Sequence, residues 1–130
     1  MNENYPSGGL TELLGINVIK SGEHWIELAL EIGPHHFRPS VDGLHAGTVV
    51  TLADTACGFG CRDALPKAAN GFITLELKSN LTGKATKGLL ICRAEAVHLG
   101  RTTQVWSALV SHRETGRSIA TFSCTQLLLY

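Results

Sequence analysis

The sequence predicts an α+β domain: an antiparallel β-sheet wrapped around one long central helix. Three observations carry this. Two segments in the second half of the chain, Phe72 to Leu81 and Leu89 to Leu99, alternate apolar and polar residues, the period-two signature of half-buried strands, and two more are rich in Val, Thr, Ile, Leu and Trp. The connectors between them are short and built from turn residues, which joins antiparallel neighbours. One long, apolar, nearly uncharged segment, Leu44 to Cys61, is the only element able to cover the apolar face of such a sheet.

The elements follow in order. Residues 1–9 are polar and rich in Gly and Pro, a loose lead-in. Leu10 to Leu14 suits a short helix ended by Gly15. His24 to Ile32 places Ile26, Leu28, Leu30 and Ile32 on one side and Glu27 and Glu31 on the other, a half-buried strand. One or two strands are therefore expected before the helix. Gly33 to Gly43 is a loop by its Gly, Pro and Asp content. Leu44 to Cys61 is read as a buried helix. Its small residues, among them Ala46, Gly47, Ala53, Ala56 and Gly58, let a sheet approach closely, although glycine is a poor helix former. Arg62, Asp63 and Pro66 mark its exit. Phe72 to Leu81, Leu89 to Leu99, Thr102 to His112 and Ser118 to Leu129 are the four later strands.

A chain of 130 residues is one domain's length, here residues 1–130. With 44% hydrophobic and 17% charged residues it reads as a globule rather than a disordered chain. Eleven basic residues balance eleven acidic ones, which removes the electrostatic case for a nucleic-acid partner. Near-neutrality also favours self-association, so a homo-oligomer is expected. Cys57, Cys61, Cys92 and Cys124 form no CxxC pair and no disulfide framework; Cys57 and Cys61 read as inert buried thiols. The start of the chain lacks the basic and apolar regions of a signal peptide, and no apolar run is long enough to span a bilayer. The expected location is the cytoplasm, with no membrane contact.

Asp54 is the first candidate for chemistry. It is the only ionisable side chain between His45 and Arg62, in the middle of the apolar helix. A buried unpaired charge costs several kcal/mol, as an order of magnitude. The alternative is that Asp54 faces solvent or caps a turn after a break near Thr51. His45-Ala46-Gly47 is the second candidate. The first N–H groups of a helix have no internal partner and carry the positive end of its dipole, which suits a developing oxyanion. Gly47 would let a carbonyl approach the backbone, and Asp54 follows seven residues later, two turns along the same side. The alternative here is a simple loop-to-helix junction with a packed histidine. His35 and His36 are adjacent, and His24, His98 and His112 show no ligand spacing to them, so no metal site is expected. One loop histidine lining a pocket is the better use. No G-x-S-x-G, P-loop or dinucleotide fingerprint is present.

The segment PHHFRPSVDGLHAGTVVTLADTACG, followed by a strand such as FITLELKSNL, resembles the hotdog-fold acyl-CoA thioesterases of the phenylacetate-pathway (PaaI-like) type. The resemblance runs from about Gly15 to Leu129. The family pattern is a loop with H-x-N-P, then L-H-G-G, then a small-rich helix with T-L-A-D. LHAG matches with Ala46 in place of one glycine, and Thr51 to Asp54 match TLAD fully.

The resemblance implies a hotdog fold whose subunits pair their sheets edge to edge into dimers, which commonly assemble as tetramers with active sites shared between chains. It implies hydrolysis of an acyl-CoA thioester, with coenzyme A as part of the substrate and no other cofactor. Asp54 would be general base on water or nucleophile. Gly47 would polarise the thioester carbonyl through its N–H, His45 would hold the loop-to-helix geometry beside it, and Thr74, matching a position on the partner subunit's facing strand, would help place water. The family's loop Asn or Gln has no clean counterpart: with His36 aligned to the family histidine, Arg38 stands at the Asn position, and either Arg38 takes the catalytic role near the carbonyl or the loop is re-aimed and the activity altered. His36, Ala46 and Gly58 are expected to touch substrate. Lys84, Lys87, Arg93 and Arg101 are candidates for the coenzyme phosphates, although scattered surface charge is the better reading of them. Two rivals stay open. One is an acyl-thioester dehydratase or hydratase using His36 with Asp54. The other is a non-catalytic acyl-CoA-binding module, since fold does not fix function.

Overall fold

The structure, a computed structural model, describes residues 4–130. Its elements in chain order are α1 (Gly9–Leu13), β1 (Ile16–Gly22), β2 (Trp25–Glu31), a single 3-10 turn (Pro34–His36), α2 (Ala46–Asp63), β3 (Gly71–Leu81), β4 (Leu89–Leu99), β5 (Thr103–His112) and β6 (Ser118–Leu129). The six strands form one sheet in the order β1-β2-β4-β5-β6-β3, every pairing antiparallel. One face of it wraps α2. This is the α+β fold expected, an antiparallel sheet around one long helix.

Burial follows the predicted alternation. Leu90, Cys92 and Ala94 of β4 and Trp106, Ala108 and Val110 of β5 point inward against Leu52, Ala53, Ala56 and Cys57 of α2. The helix is rich in small residues because the sheet comes close. A Cβ on Gly60 would lie 2.5 Å from the indole of Trp106. Trp106 fills that space, and its Nε1 donates to Gln104 Oε1 at 2.8 Å. Gln104 in turn donates to the Ala64 carbonyl just past the end of α2.

Two differences from the sequence expectation have simple causes. The helix continues through Arg62 and Asp63, because its last turn is exposed and tolerates charge. β1 is a full edge strand, yet only Ile16 and Val18 of it are buried, so its alternation is too short to read. Of the lead-in expected over residues 1–9, residues 1–3 lie outside the described residues. Tyr5 is not loose: it is buried, stacks near Phe59, and its hydroxyl meets Asp63 and Ser21.

β3 pairs with β6 on one side and with no strand among the described residues on the other. A register shift, a β-bulge, falls between Thr74 and Glu76. Ile73 and Leu75 are 49% and 54% exposed.

Candidate active site

The site is built around the first two turns of α2. His45 is the N-cap, and its Nδ1 accepts the Gly47 N–H at 2.8 Å. The His45 N–H donates to the His36 carbonyl at 2.9 Å, and Thr48 Oγ1 donates to the same carbonyl at 3.0 Å. The loop and the helix start are therefore clipped together at His36.

His36 is buried with both ring nitrogens engaged. Nδ1 accepts the Gly33 N–H at 2.9 Å, so Nε2 carries the proton and donates to the Leu14 carbonyl at 2.8 Å. Burial pushes its pKa below the ordinary histidine value. Neither ring nitrogen of His36 is left free to bond a substrate. Its neighbour His35 is exposed and stacks on it at 3.9 Å.

The oxyanion site also differs from expectation. The Gly47 N–H is already committed to the His45 ring. Among the described residues nothing accepts from the Ala46 N–H, which as the first helical amide has no partner within the helix. Ala46 therefore carries the open donor.

Asp54 lies two turns further along α2, half-buried. Its Oδ1 is fully buried and has no hydrogen-bond partner. Burial raises its pKa above the ordinary aspartate value. Its charge acts on two buried thiols, Cys57 one turn on and Cys124 of β6. Both sulfurs are buried, and burial with a thiol neighbour holds Cys57 protonated. Burial also pushes Cys61 and Cys92 up to about 12. These are packing thiols, as expected.

Thr74 is exposed on β3, directly opposite Gln126 of β6, and its Oγ1 donates to Gln126 Oε1 at 2.8 Å. Gly58, one turn after Asp54, faces Phe72: a Cβ there would sit 3.7 Å from the ring. Arg38 is exposed, its N–H donates to the Gly43 carbonyl at 2.9 Å, and its guanidinium lies over Gly43. It lines a cavity of about 300 Å³ with Leu44, Ala46, Val49, Leu81 and Lys84. Neither Gly47 nor Asp54 lines that cavity. The structure thus gathers His45, Ala46 and Gly47 at one helix end, aligns Asp54 and Gly58 behind them, and places Arg38 across a cavity that it shares with Ala46.

Gln126 escaped the sequence reading. The signal for it was a lone amide in an alternating strand whose other inward residues are Phe122, Cys124 and Leu128. Among the described residues no group of His, Cys, Asp and Glu could hold a metal ion, and no helix is long and apolar enough to cross a membrane.

The family model described as Thioesterase superfamily matches residues 43–119, from the residue before Leu44 into the start of β6. The chain belongs to the thioesterase superfamily. It is a thioester hydrolase. This thioesterase is 30% identical over 117 residues to the 1,4-dihydroxy-2-naphthoyl-CoA hydrolase of Listeria monocytogenes serotype 1/2a, a match covering 90% of this chain and 93% of the relative. Its backbone is similar to thioesterase HI1161 of Haemophilus influenzae, with a TM-score of 0.87 and 25% identity over 95% of this chain and 84% of that one. The PaaI protein of the E. coli phenylacetic acid degradation operon shares the fold, with a TM-score of 0.82 at 17% identity over 92% and 83% of the two chains.

Proposed function

We propose that this thioesterase hydrolyses an acyl-CoA to a free carboxylic acid and coenzyme A, with Asp54 as general base. The observation that carries the reading is the buried, unpartnered Oδ1 of Asp54, two turns behind an open helix amide. A carboxylate short of hydrogen bonds in a dry site is a stronger base than in water.

The thioester carbonyl oxygen takes the Ala46 N–H at the positive end of α2. Asp54 removes a proton from water, and the water oxygen bonds to the carbonyl carbon. The tetrahedral intermediate then collapses, the C–S bond breaks, and the thiolate takes up the proton. Thiolate is a good leaving group, so charge stabilisation at oxygen matters more than a strong acid. His45 holds the helix start through its Gly47 contact, and Thr74 places the water. The step uses water, side chains and a backbone amide, with no cofactor beyond the substrate's own coenzyme. A hydratase or dehydratase would need a ring nitrogen of His36, and both are engaged.

The unpaired β3 edge supports a homodimer formed by edge pairing, with sites shared between chains, and dimers assembling into tetramers in the cytoplasm. Long exposed edges with apolar side chains pair with another strand.

The test is a panel of aryl, short-chain and long-chain acyl-CoA substrates scored by free thiol release, on wild type and Asp54→Asn. Asp54→Asn keeps the shape and removes the base. A loss of about 10²-fold or more is expected, the scale for a positioned base. A folded Asp54→Asn protein that keeps most of its activity would end the proposal.

A further inference from the structure

We infer that Gln126 is a positioning residue for the hydrolysis: it turns the Thr74 hydroxyl into an acceptor for the attacking water. This rests on the assignment of Asp54 as base.

Gln126 has no exposed surface, in a strand whose other inward positions are apolar or thiol. A buried primary amide is costly unless its polar groups are bonded. Its Oε1 accepts from Thr74 Oγ1 at 2.8 Å, and its Nε2 donates to Cys124 Sγ at 3.4 Å. Residues directly opposite in an antiparallel pair share one face of the sheet. Thr74 therefore presents its hydroxyl on the inward face of the sheet, the face that α2 covers.

The direction of the hydrogen bond decides the chemistry. A hydroxyl has one proton and two lone pairs. With the proton committed to Gln126, Thr74 can only accept. Water attacking a thioester has two protons to place: Asp54 takes one, and the other needs an acceptor. Thr74 Oγ1 is that acceptor, and the water's lone pair is left for the carbonyl carbon. Without Gln126 the hydroxyl rotates and can donate to the water oxygen, which occupies one of its two lone pairs and leaves the water's second proton without an acceptor. Thr74 and Gln126 belong to one strand pair, so a site shared between chains receives them together.

The test is steady-state kinetics on the best substrate of the panel. Thr74→Val and Gln126→Leu should each lower kcat about tenfold with KM little changed, the scale of one lost hydrogen bond. The double variant should be no slower than either single one, because both remove the same interaction. Thr74→Ser keeps the hydroxyl and should recover most of the rate. Wild-type kcat in Thr74→Val overturns the inference, as do losses that multiply in the double variant. Should Gln126→Leu fail to fold, the Thr74→Val and Thr74→Ser comparison on exposed β3 still decides: equal rates in the two overturn it. In each of these failures Asp54→Asn stays inactive if the base assignment is right. An active Asp54→Asn removes both.

Discussion

Asp54 shows how one side chain links stability to function. Its native pKa lies above the ordinary value of 3.8 because burial penalises the charged form. As pH rises, the unfolded chain therefore loses this proton first. The native state is favoured below 3.8, and that contribution is lost as pH rises through the higher native pKa. Two results follow. The acid limb of kcat/KM should sit above the ordinary aspartate range, as a pH–rate profile will show, and Asp54→Asn should abolish that limb. At neutral pH Asp54→Asn should melt higher than wild type, since it removes a buried charge while removing the base. His36 has the opposite sign. Burial lowers its native pKa, so as pH falls below 6.5 the unfolded chain gains the proton first and stability drops. Thermal melts from pH 7.5 to pH 5.5, chosen to bracket about 6.5, should show this fall. His36→Ala should flatten it and lower stability at neutral pH by about 1–3 kcal/mol, from the unpaired Gly33 N–H and Leu14 carbonyl.

At the scale of the element, α2 combines two demands. It must lie close to a curved sheet, and it must present Ala46, Asp54 and Gly58 along one side. The small residues meet the first demand. Gly60 sets the closest approach, where any Cβ meets the Trp106 ring. Gly60→Val should overpack this contact and cost about 1–3 kcal/mol by urea unfolding. Gly58 faces Phe72 with ordinary contact distance, so Gly58→Ala should raise stability by up to about 1 kcal/mol, and any loss of activity in it reports on substrate fit. The strands were legible from alternation in β3 and β4 and from their apolar, β-branched composition in β5 and β6: β4 and β6 run from Leu89 to Leu99 and from Ser118 to Leu129, as expected. β1 was less legible because an edge strand buries little, and the last turn of α2 was missed because exposed charge looks like a loop.

For the molecule as a whole, β3 is the open question that the fold poses. It is an eleven-residue strand with one edge unpaired and Ile73 and Leu75 exposed. Light scattering at micromolar concentration should give a dimer or tetramer mass. Leu75→Lys places a charge on that edge, the device that blocks strand pairing. It should shift the mass towards the monomer and reduce thiol release, because the proposed site draws on both chains. A Leu75→Lys protein with the wild-type mass would move the interface elsewhere.

The sequence by itself determined the layers, the strand count in the second half and the identity of the helix carboxylate. Those depend on periodicity and on the cost of burying a charge, which are local properties of the chain. The tertiary structure alone decided which groups are free to act. It committed the Gly47 amide to His45 and left the Ala46 amide open, because a cap geometry depends on one side-chain torsion. It locked both nitrogens of His36 between Gly33 and Leu14, residues three and twenty-two positions away. It also set Gln126 against Thr74 across 52 residues of chain. Hydrogen-bond partners of that kind are chosen by strand register and loop closure, which no local pattern encodes.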